Sequence, residues 1–141
     1  SKETDYGNGS FLVPSLYFDL MAAENAGVWI VNPGHHALEK YTLDGTLQDS
    51  WQRASMQVDG FCGCCNPTHI ARLSDGTLVT SEKGIPRVKI YTERGDFIGV
   101  VAGPDKFDKD TDSLDLAVGN QDHIYVLDPA RHQVRRFHRA Q

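Results

Sequence analysis

The segment "FCGCCNPTHIA", residues 61–71, carries all three cysteines of this 141-residue chain and a histidine shortly after them. Cys62, Cys64, Cys65 and His69 offer three soft thiolates and one imidazole, a donor set suited to zinc or copper(I). Their spacing differs from the usual C-x-x-C knuckle, and adjacent cysteines rarely both face one ion. A metal site at these four residues is therefore one interpretation among several.

The same cysteines have other chemical interpretations. A disulfide from Cys62 to Cys64 or Cys65 could clip the loop, or partly buried thiols could fill space as small apolar groups. A reactive redox thiol is the remaining alternative. We favour structural thiols or a clip over a metal site, and a metal site over a redox thiol. Asn66-Pro67 is a turn signal just before the next strand.

Three stretches of the chain share one sequence pattern. They begin at Tyr17, Thr68 and Leu114. A short apolar run is followed by a polar turn and a β-type run ("VWIV", "TLVT", "HIYVL"). A loop and a run ending in an aromatic residue come next ("ALEKY", "RVKIY", "QVRRF"). Such runs with Asp-Gly turns predict short antiparallel strands, whereas no convincing helical stripe is present. Four short strands per repeat are typical of a propeller blade.

The short apolar strand, the Asp-Gly turn and "RVKIY" followed by a glycine resemble the NHL repeat of six-bladed β-propellers, from about Tyr17 to Phe137. The middle copy resembles uncharacterised bacterial members with a "GCCNP" segment before the strand. The resemblance implies an all-β propeller unit over 1–141, with three NHL-like four-stranded blades at about 15–60, 61–104 and 105–139. It implies no single activity, because lactonases, lyases, binding modules and interaction scaffolds share this architecture.

Three such blades make half of a six-bladed ring. The third copy stops at Phe137 without a fourth run, whereas residues 8–14, with the apolar run 11–13, belong to no complete blade. A half ring would expose two blade faces and a sheet edge. We therefore expect a homodimer that completes the ring, with 8–14 as a possible closing strand. A piece of a longer chain is the alternative.

One polar residue opens the first run of each copy: Asp19, His69 and Asp115, which lie 50 and 46 positions apart. The first strand of a blade is the innermost, so we expect these residues at the mouth of the central channel. They could bind a divalent cation or a cationic or sugar-like ligand, but capping of amides between blades is the interpretation we favour. Some propeller lactonases hold a catalytic calcium here through Asp, Asn and Glu, and the histidine departs from that pattern.

Composition and charge limit the classes of partner that this chain is expected to bind. The net charge is −5, and the basic "RHQVRRFHR" follows the acidic "DKFDKDTDSLD", which disfavours nucleic acid as the main partner. The longest apolar stretch, "AGVWIV", is too short to span a bilayer, and no charged-then-apolar leader is present. We therefore expect a soluble domain and assign no compartment.

The chain contains no G-x-S-x-G elbow, phosphate loop or H-E-x-x-H motif. We interpret the charged pair Glu82-Lys83, after "TLVTS", as a loop salt bridge. The sequence therefore favours a non-catalytic module that binds a protein, peptide or carbohydrate at its axial residues. The alternative is a protein that depends on zinc, copper or calcium, either a lactonase-like hydrolase at the axis or a Cys/His metal or redox site at 62–69.

Overall fold

The computed structural model describes residues 2–139 and contains three antiparallel sheets in chain order. The first is β1 (Leu20–Ala23), β2 (Gly27–Asn32), β3 (Ala37–Thr42) and β4 (Leu47–Gln52). The second is β5 (His69–Arg72), β6 (Leu78–Glu82), β7 (Arg87–Tyr91) and β8 (Phe97–Ala102). The third is β9 (Leu116–Val118), β10 (Ile124–Asp128) and β11 (Gln133–Phe137). The prediction of an all-β chain with one sheet per repeat is confirmed.

Each sheet is a simple meander in which consecutive strands pair, and we call the three sheets blades 1, 2 and 3. Each lies inside the range predicted for its blade, and blade 3 has three strands, in line with the missing fourth run. Residues 1, 140 and 141 of the predicted unit lie outside the described residues. Between 2 and 139, the helical structure consists of short 3₁₀ turns, and no helix there is long and apolar enough to cross a membrane.

The blades stack through their apolar faces. Alternate side chains of a strand point to opposite faces, so each blade can present one face to each neighbour. The buried side chains between blades 1 and 2 are Trp29, Val31, Leu38, Ile70 and Leu78. Those between blades 2 and 3 include Val79, Val88, Ile90, Leu114, Ile124 and Val126. Strand β5 contacts both β1 and β9, so the first strands of the blades lie together.

Each blade is preceded by a connector whose phenylalanine packs on an aromatic residue in the last two positions of that blade's third strand. The pairs and their ring-centroid distances are Phe11 and Tyr41 at 5.9 Å, Phe61 and Tyr91 at 5.4 Å, and Phe107 and Phe137 at 6.2 Å. All three pairs span 30 positions, so they occupy equivalent points of the repeat.

Residues 8–14 belong to the first of these connectors in the single chain. They form no strand. The Leu12 N–H donates to Asn32 Oδ1 at 3.0 Å, and the Leu12 carbonyl accepts from the Gly34 N–H at 2.8 Å. The segment is thus attached to blade 1, and its role as a closing strand stays a prediction for the assembled ring.

In blade 2 a buried ionic cluster fastens the connector. The Glu82 carboxylate, 1% exposed, accepts from the Arg87 guanidinium at 2.7 and 3.0 Å and pairs with the Lys89 ammonium at 2.9 Å. The Gly60 carbonyl of the connector accepts from Lys89 at 2.6 Å and from Arg87 at 3.1 Å. Burial lowers the pKa of Lys89, and the Glu82 charge opposes that shift. Glu82 is therefore a buried strand residue, and its interpretation as a loop salt bridge was wrong.

Replacing Glu82 by glutamine should be strongly destabilising. Glu82→Gln leaves two buried cations without their counter-charge, so we expect the free energy of unfolding to fall by about 3–5 kcal/mol. Urea denaturation measures this change. The control is Glu93→Gln, which removes the surface pair with Lys40 from a side chain that is 43% exposed and should cost less than about 1 kcal/mol. Equal losses in the two variants would contradict the assigned role of Glu82.

Candidate functional site

The first strands of the three blades line one open groove of about 300 Å³. Asp19 and Asp115 belong to its lining and directly precede β1 and β9, and His69 is the first residue of β5. Asp19 and Asp115 therefore lie at one end of the groove, which we call the mouth, and His69 lies beside them at the start of the corresponding strand of blade 2. Backbone pairing is equivalent too, since the Asp19 and Asp115 carbonyls each accept an N–H from the second strand of their own blade, at 3.0 and 2.9 Å.

Asp19 joins two blades through its carboxylate. Its Oδ1 accepts from the Leu20 N–H at 2.9 Å, and its Oδ2 accepts from the Ile70 N–H of blade 2 at 3.0 Å. Because Ile70 is buried between blades, this contact satisfies an amide that water cannot easily reach. Asp19 therefore caps amides across the junction of blades 1 and 2.

Asp115 is the more accessible of the two carboxylates. Its Oδ1 accepts from the Leu116 N–H at 2.8 Å, and its side chain is exposed. Among the described residues, Oδ2 has no hydrogen-bond donor within reach. Asp115 can therefore contact a ligand at the mouth without giving up its contact to the sheet.

His69 is half-buried beside these carboxylates. Its Nδ1 lies 3.0 Å from the Thr68 hydroxyl, and its ring centroid lies 5.8 Å from that of Tyr17. Burial lowers the pKa of His69, and the nearby charges of Asp19 and Asp115 oppose the shift without reversing it. The imidazole is therefore uncharged at neutral pH, and the mouth carries the negative charge of its carboxylates.

The three cysteines divide into two groups, and all are free thiols. The Sγ atoms of Cys64 and Cys65 lie 2.7 Å apart, whereas the buried Cys62 sulfur lies 4.0 Å from the Arg87 guanidinium. Gly63, with φ of +79°, turns the chain between the two groups. The structure therefore contains no clip from Cys62 to either of the other cysteines.

The four residues of the predicted metal site are not assembled as ligands either. Between residues 2 and 139, no group of three or more His, Cys, Asp or Glu side chains is arranged to hold a metal ion. This holds for Cys62, Cys64, Cys65 and His69, and it holds for the axial set. Cys62 is directed toward Arg87 of blade 2, which separates it from the other two thiols.

Lys83, immediately after β6, is the neighbour of the cysteine pair. A hydrogen bond with Cys65 raises the pKa of Lys83, and its ammonium lies 5.7 Å from the centre of the Tyr17 ring. Tyr17 in turn contacts His69. The pair thus lies beside the mouth. The sequence showed Lys83 only as half of a charged pair, and its contact with a cysteine 18 positions earlier depends on the loop geometry.

Solved structures share this fold. The chain aligns with a catalytically inactive histidine-to-alanine variant of virginiamycin B lyase from Staphylococcus aureus with quinupristin, at a TM-score of 0.60 and 15% identity. The aligned region covers 92% of this chain and 44% of that one. The selenomethionine-substituted lyase gives 0.57 and 14%, covering 93% and 45%. U3-55K gives 0.55 and 13%, covering 89% and 40%.

The chain has a β-propeller-like fold. Its three blades span less than half the length of each of these proteins. No family model matches the chain, and no curated protein sequence matches it. Because the identities are this low, the likeness concerns the fold alone, and the function has to be argued from the residues described above.

The lowered pKa of His69 predicts a specific acid sensitivity. A histidine whose pKa falls on folding contributes stability above its ordinary value of about 6.5, and that stability is lost as the pH falls through the folded value. Between about pH 7.5 and about pH 5, we expect the free energy of unfolding to fall more in the wild type than in His69→Gln. Urea denaturation at both pH values measures the two changes. His35→Gln, at an exposed histidine, should behave as the wild type. An unchanged pH dependence in His69→Gln would contradict the assignment.

Proposed function

We propose that this chain is a non-catalytic binding module formed by three NHL-type blades of a six-bladed ring, and that a second copy supplies the other three. A cationic group of a protein or peptide partner would bind at the mouth. The observation that carries the assembly is the complementarity of the two outer blade faces. Each outer face exposes apolar residues whose counterparts inside the chain are buried.

The outer face of blade 3 is apolar and uncovered. Leu127 and Val134 are 48% and 66% exposed, whereas Val31 and Leu38, at the same repeat positions of blade 1, are both 0% exposed. Those two blade 1 residues are covered by blade 2. Blade 3 therefore presents the surface that elsewhere in the chain is covered by a following blade.

The outer face of blade 1 is the opposite half of such a junction. Phe18 and Leu20 are 50% and 62% exposed, whereas their counterparts Leu114 of blade 3 and Ile70 of blade 2 are 0% and 3% exposed. Blade 1 therefore presents the surface that elsewhere receives a preceding blade. Contiguous apolar surface of this kind marks an interface.

A ring of two copies would cover both outer faces, because the same contact between blades occurs twice. Blade 3 of each copy would cover blade 1 of the other, and two such contacts close the assembly. The resulting six blades lie within the range of four to eight that propeller rings usually have.

The charge at the mouth supports a cationic ligand. Each copy contributes Asp19, Asp115 and an uncharged His69, so a ring of two would gather four carboxylates around one axis. A cleft lined by one sign of charge concentrates ligands of the opposite sign. Asp19 already has both oxygens engaged with amides, so Asp115 is the residue that would contact the ligand.

The assembly is tested by sedimentation at micromolar concentration. We expect a dimer for the wild type and a monomer for Val134→Asp, because the new charge would be buried in the contact. Ile98→Asp is the matched control, since Ile98 is 39% exposed on β8 and outside both outer faces. A wild type that sediments as a monomer would refute the assembly. Circular dichroism confirms that the variants are folded.

A mixing experiment tests which faces meet. Leu20→Asp alone should also be monomeric, since it blocks the blade 1 face. In a mixed pair of Leu20→Asp and Val134→Asp, one contact carries both charges and the other carries none. The equimolar mixture should therefore recover a heterodimer through the intact contact. Failure to recover it would argue for pairing of like faces.

The ligand site is tested with tetralysine by titration calorimetry. We expect binding that weakens with added salt and falls at least several-fold in Asp115→Asn, which keeps an acceptor for the Leu116 N–H. Asp49→Asn removes one exposed carboxylate of β4 and should leave binding unchanged. Equal effects of the two variants would show that binding follows net charge and would remove the mouth as the site.

A further inference from the structure

Cys64 and Cys65 form a pair of adjacent thiols that the proposed binding function does not use. Their Sγ atoms are 2.7 Å apart, against about 2.05 Å in a disulfide, so a small displacement would join them. Cys64 is exposed, whereas Cys65 is only 2% exposed. One thiol of the pair is therefore open to a soluble reagent, and the other lies directly beneath it.

The loop that carries the pair is held by a buried amide. Asn66, 2% exposed, donates from Nδ2 to the carbonyls of Cys62 at 2.8 Å and Lys83 at 2.9 Å. Its Oδ1 accepts from the Lys83 N–H at 2.9 Å. The side-chain amide of Asn66 thus joins the cysteine loop to the segment after β6 through both its nitrogen and its oxygen. Lys83 is positioned beside the pair by the fold.

Lys83 supplies the positive charge that a thiolate needs. Burial raises the pKa of the Cys65 thiol, but hydrogen bonds with Cys64 and Lys83 and the Lys83 charge outweigh burial, so that the pKa lies below its ordinary value. The hydrogen bond with Cys65 raises the pKa of Cys64. Asp112 is a further charge near Lys83. The pair therefore favours a thiolate at Cys65 and a protonated thiol at Cys64.

Cys62 has a different environment and does not belong to the pair. It is 8% exposed, its sulfur lies near Arg87, and Gly63 turns the chain away from it. Two thiols and one lysine, without the third cysteine or a histidine, are a poor ligand set for zinc. The same groups are the parts of a site for thiol–disulfide exchange.

We propose that Cys64 and Cys65 are a reversible thiol–disulfide site that is oxidised by small soluble disulfides. The Cys64 thiol loses its proton and attacks one sulfur of the reagent RSSR, so that a mixed disulfide forms and one RSH leaves. The Cys65 thiolate then attacks Cys64 Sγ and expels the second half as RS⁻. The two cysteines lose two electrons in total, and RSSR is reduced to one thiol and one thiolate. Lys83 acts as a positioning residue that keeps Cys65 ready for the second step.

The product would be easily reduced again. The Cα atoms of adjacent residues are about 3.8 Å apart, whereas disulfides usually join Cα atoms about 4.4–6.8 Å apart. A bond between neighbours is therefore strained, and strained exposed disulfides are the labile and regulatory ones. The cysteine pair is thus suited to reversible oxidation. It lies next to the mouth, because Lys83 contacts Tyr17 and Tyr17 contacts His69.

The test treats the intact chain with oxidised glutathione over a range of ratios to reduced glutathione, followed by alkylation and mass spectrometry of the peptide 54–72. We expect a disulfide between residues 64 and 65 in the wild type and in Cys62→Ala. In Cys65→Ser the second step is lost, and the glutathione adduct should accumulate on Cys64. An oxidised product that requires Cys62, or no internal disulfide at any ratio, would overturn the proposal.

The role of Lys83 has its own readout. Lys83→Met should slow the conversion of mixed disulfide to internal disulfide several-fold near neutral pH and move its pH profile upward, because the Cys65 thiolate loses its cation. Lys83→Arg should largely restore the rate and the profile. An unchanged pH profile in Lys83→Met would remove Lys83 from the site. The failure of tetralysine binding would leave this proposal intact, because neither experiment depends on the other.

Discussion

The fastening of each connector to the blade that follows it is the constraint on which the stack depends. A blade is a single sheet layer, so the chain between two blades must lie in their junction with its polar backbone groups satisfied. In blade 2, Glu82 compensates two cations, and the cations donate to connector carbonyls at Val58 and Gly60. Lys89 also lies 4.8 Å from the centre of the Phe61 ring. The two buried cations therefore supply the hydrogen-bond donors for these connector carbonyls.

The other blades place different chemistry at the same repeat positions. In blade 1, Asn32 and Glu39 replace the ion pair, and Asn32 accepts the Leu12 N–H while donating to Glu39 at 2.8 Å. In blade 3, Arg135 pairs with Asp128 at 3.1 Å and donates to a connector carbonyl. Each arrangement joins the second strand, the third strand and the connector. All three blades thus make the same connection, with different residue types in each.

This fastening also determines what the mouth contains. Because each connector leads into a first strand, its path sets where Asp19, His69 and Asp115 lie. The connector into blade 2 carries the cysteine pair, so the thiols, Lys83 and Tyr17 lie beside the axial carboxylates. The axial carboxylates and the thiol pair are therefore neighbours in space, joined by one chain of contacts from Lys83 through Tyr17 to His69.

The sequence by itself determined the repeats and most of the strands, because these follow from periodic patterns and turn residues that act over a few neighbours. It also contained the constant spacing of 30 between connector and strand aromatics, a signal that pattern reading overlooked. Only the tertiary structure decided that Glu82 is buried, that Asp19 caps the Ile70 amide, and that Cys62 separates from Cys64 and Cys65. These features are contacts between residues distant in the chain, and their outcome depends on side-chain direction and on what the neighbouring blade covers, which no local pattern encodes.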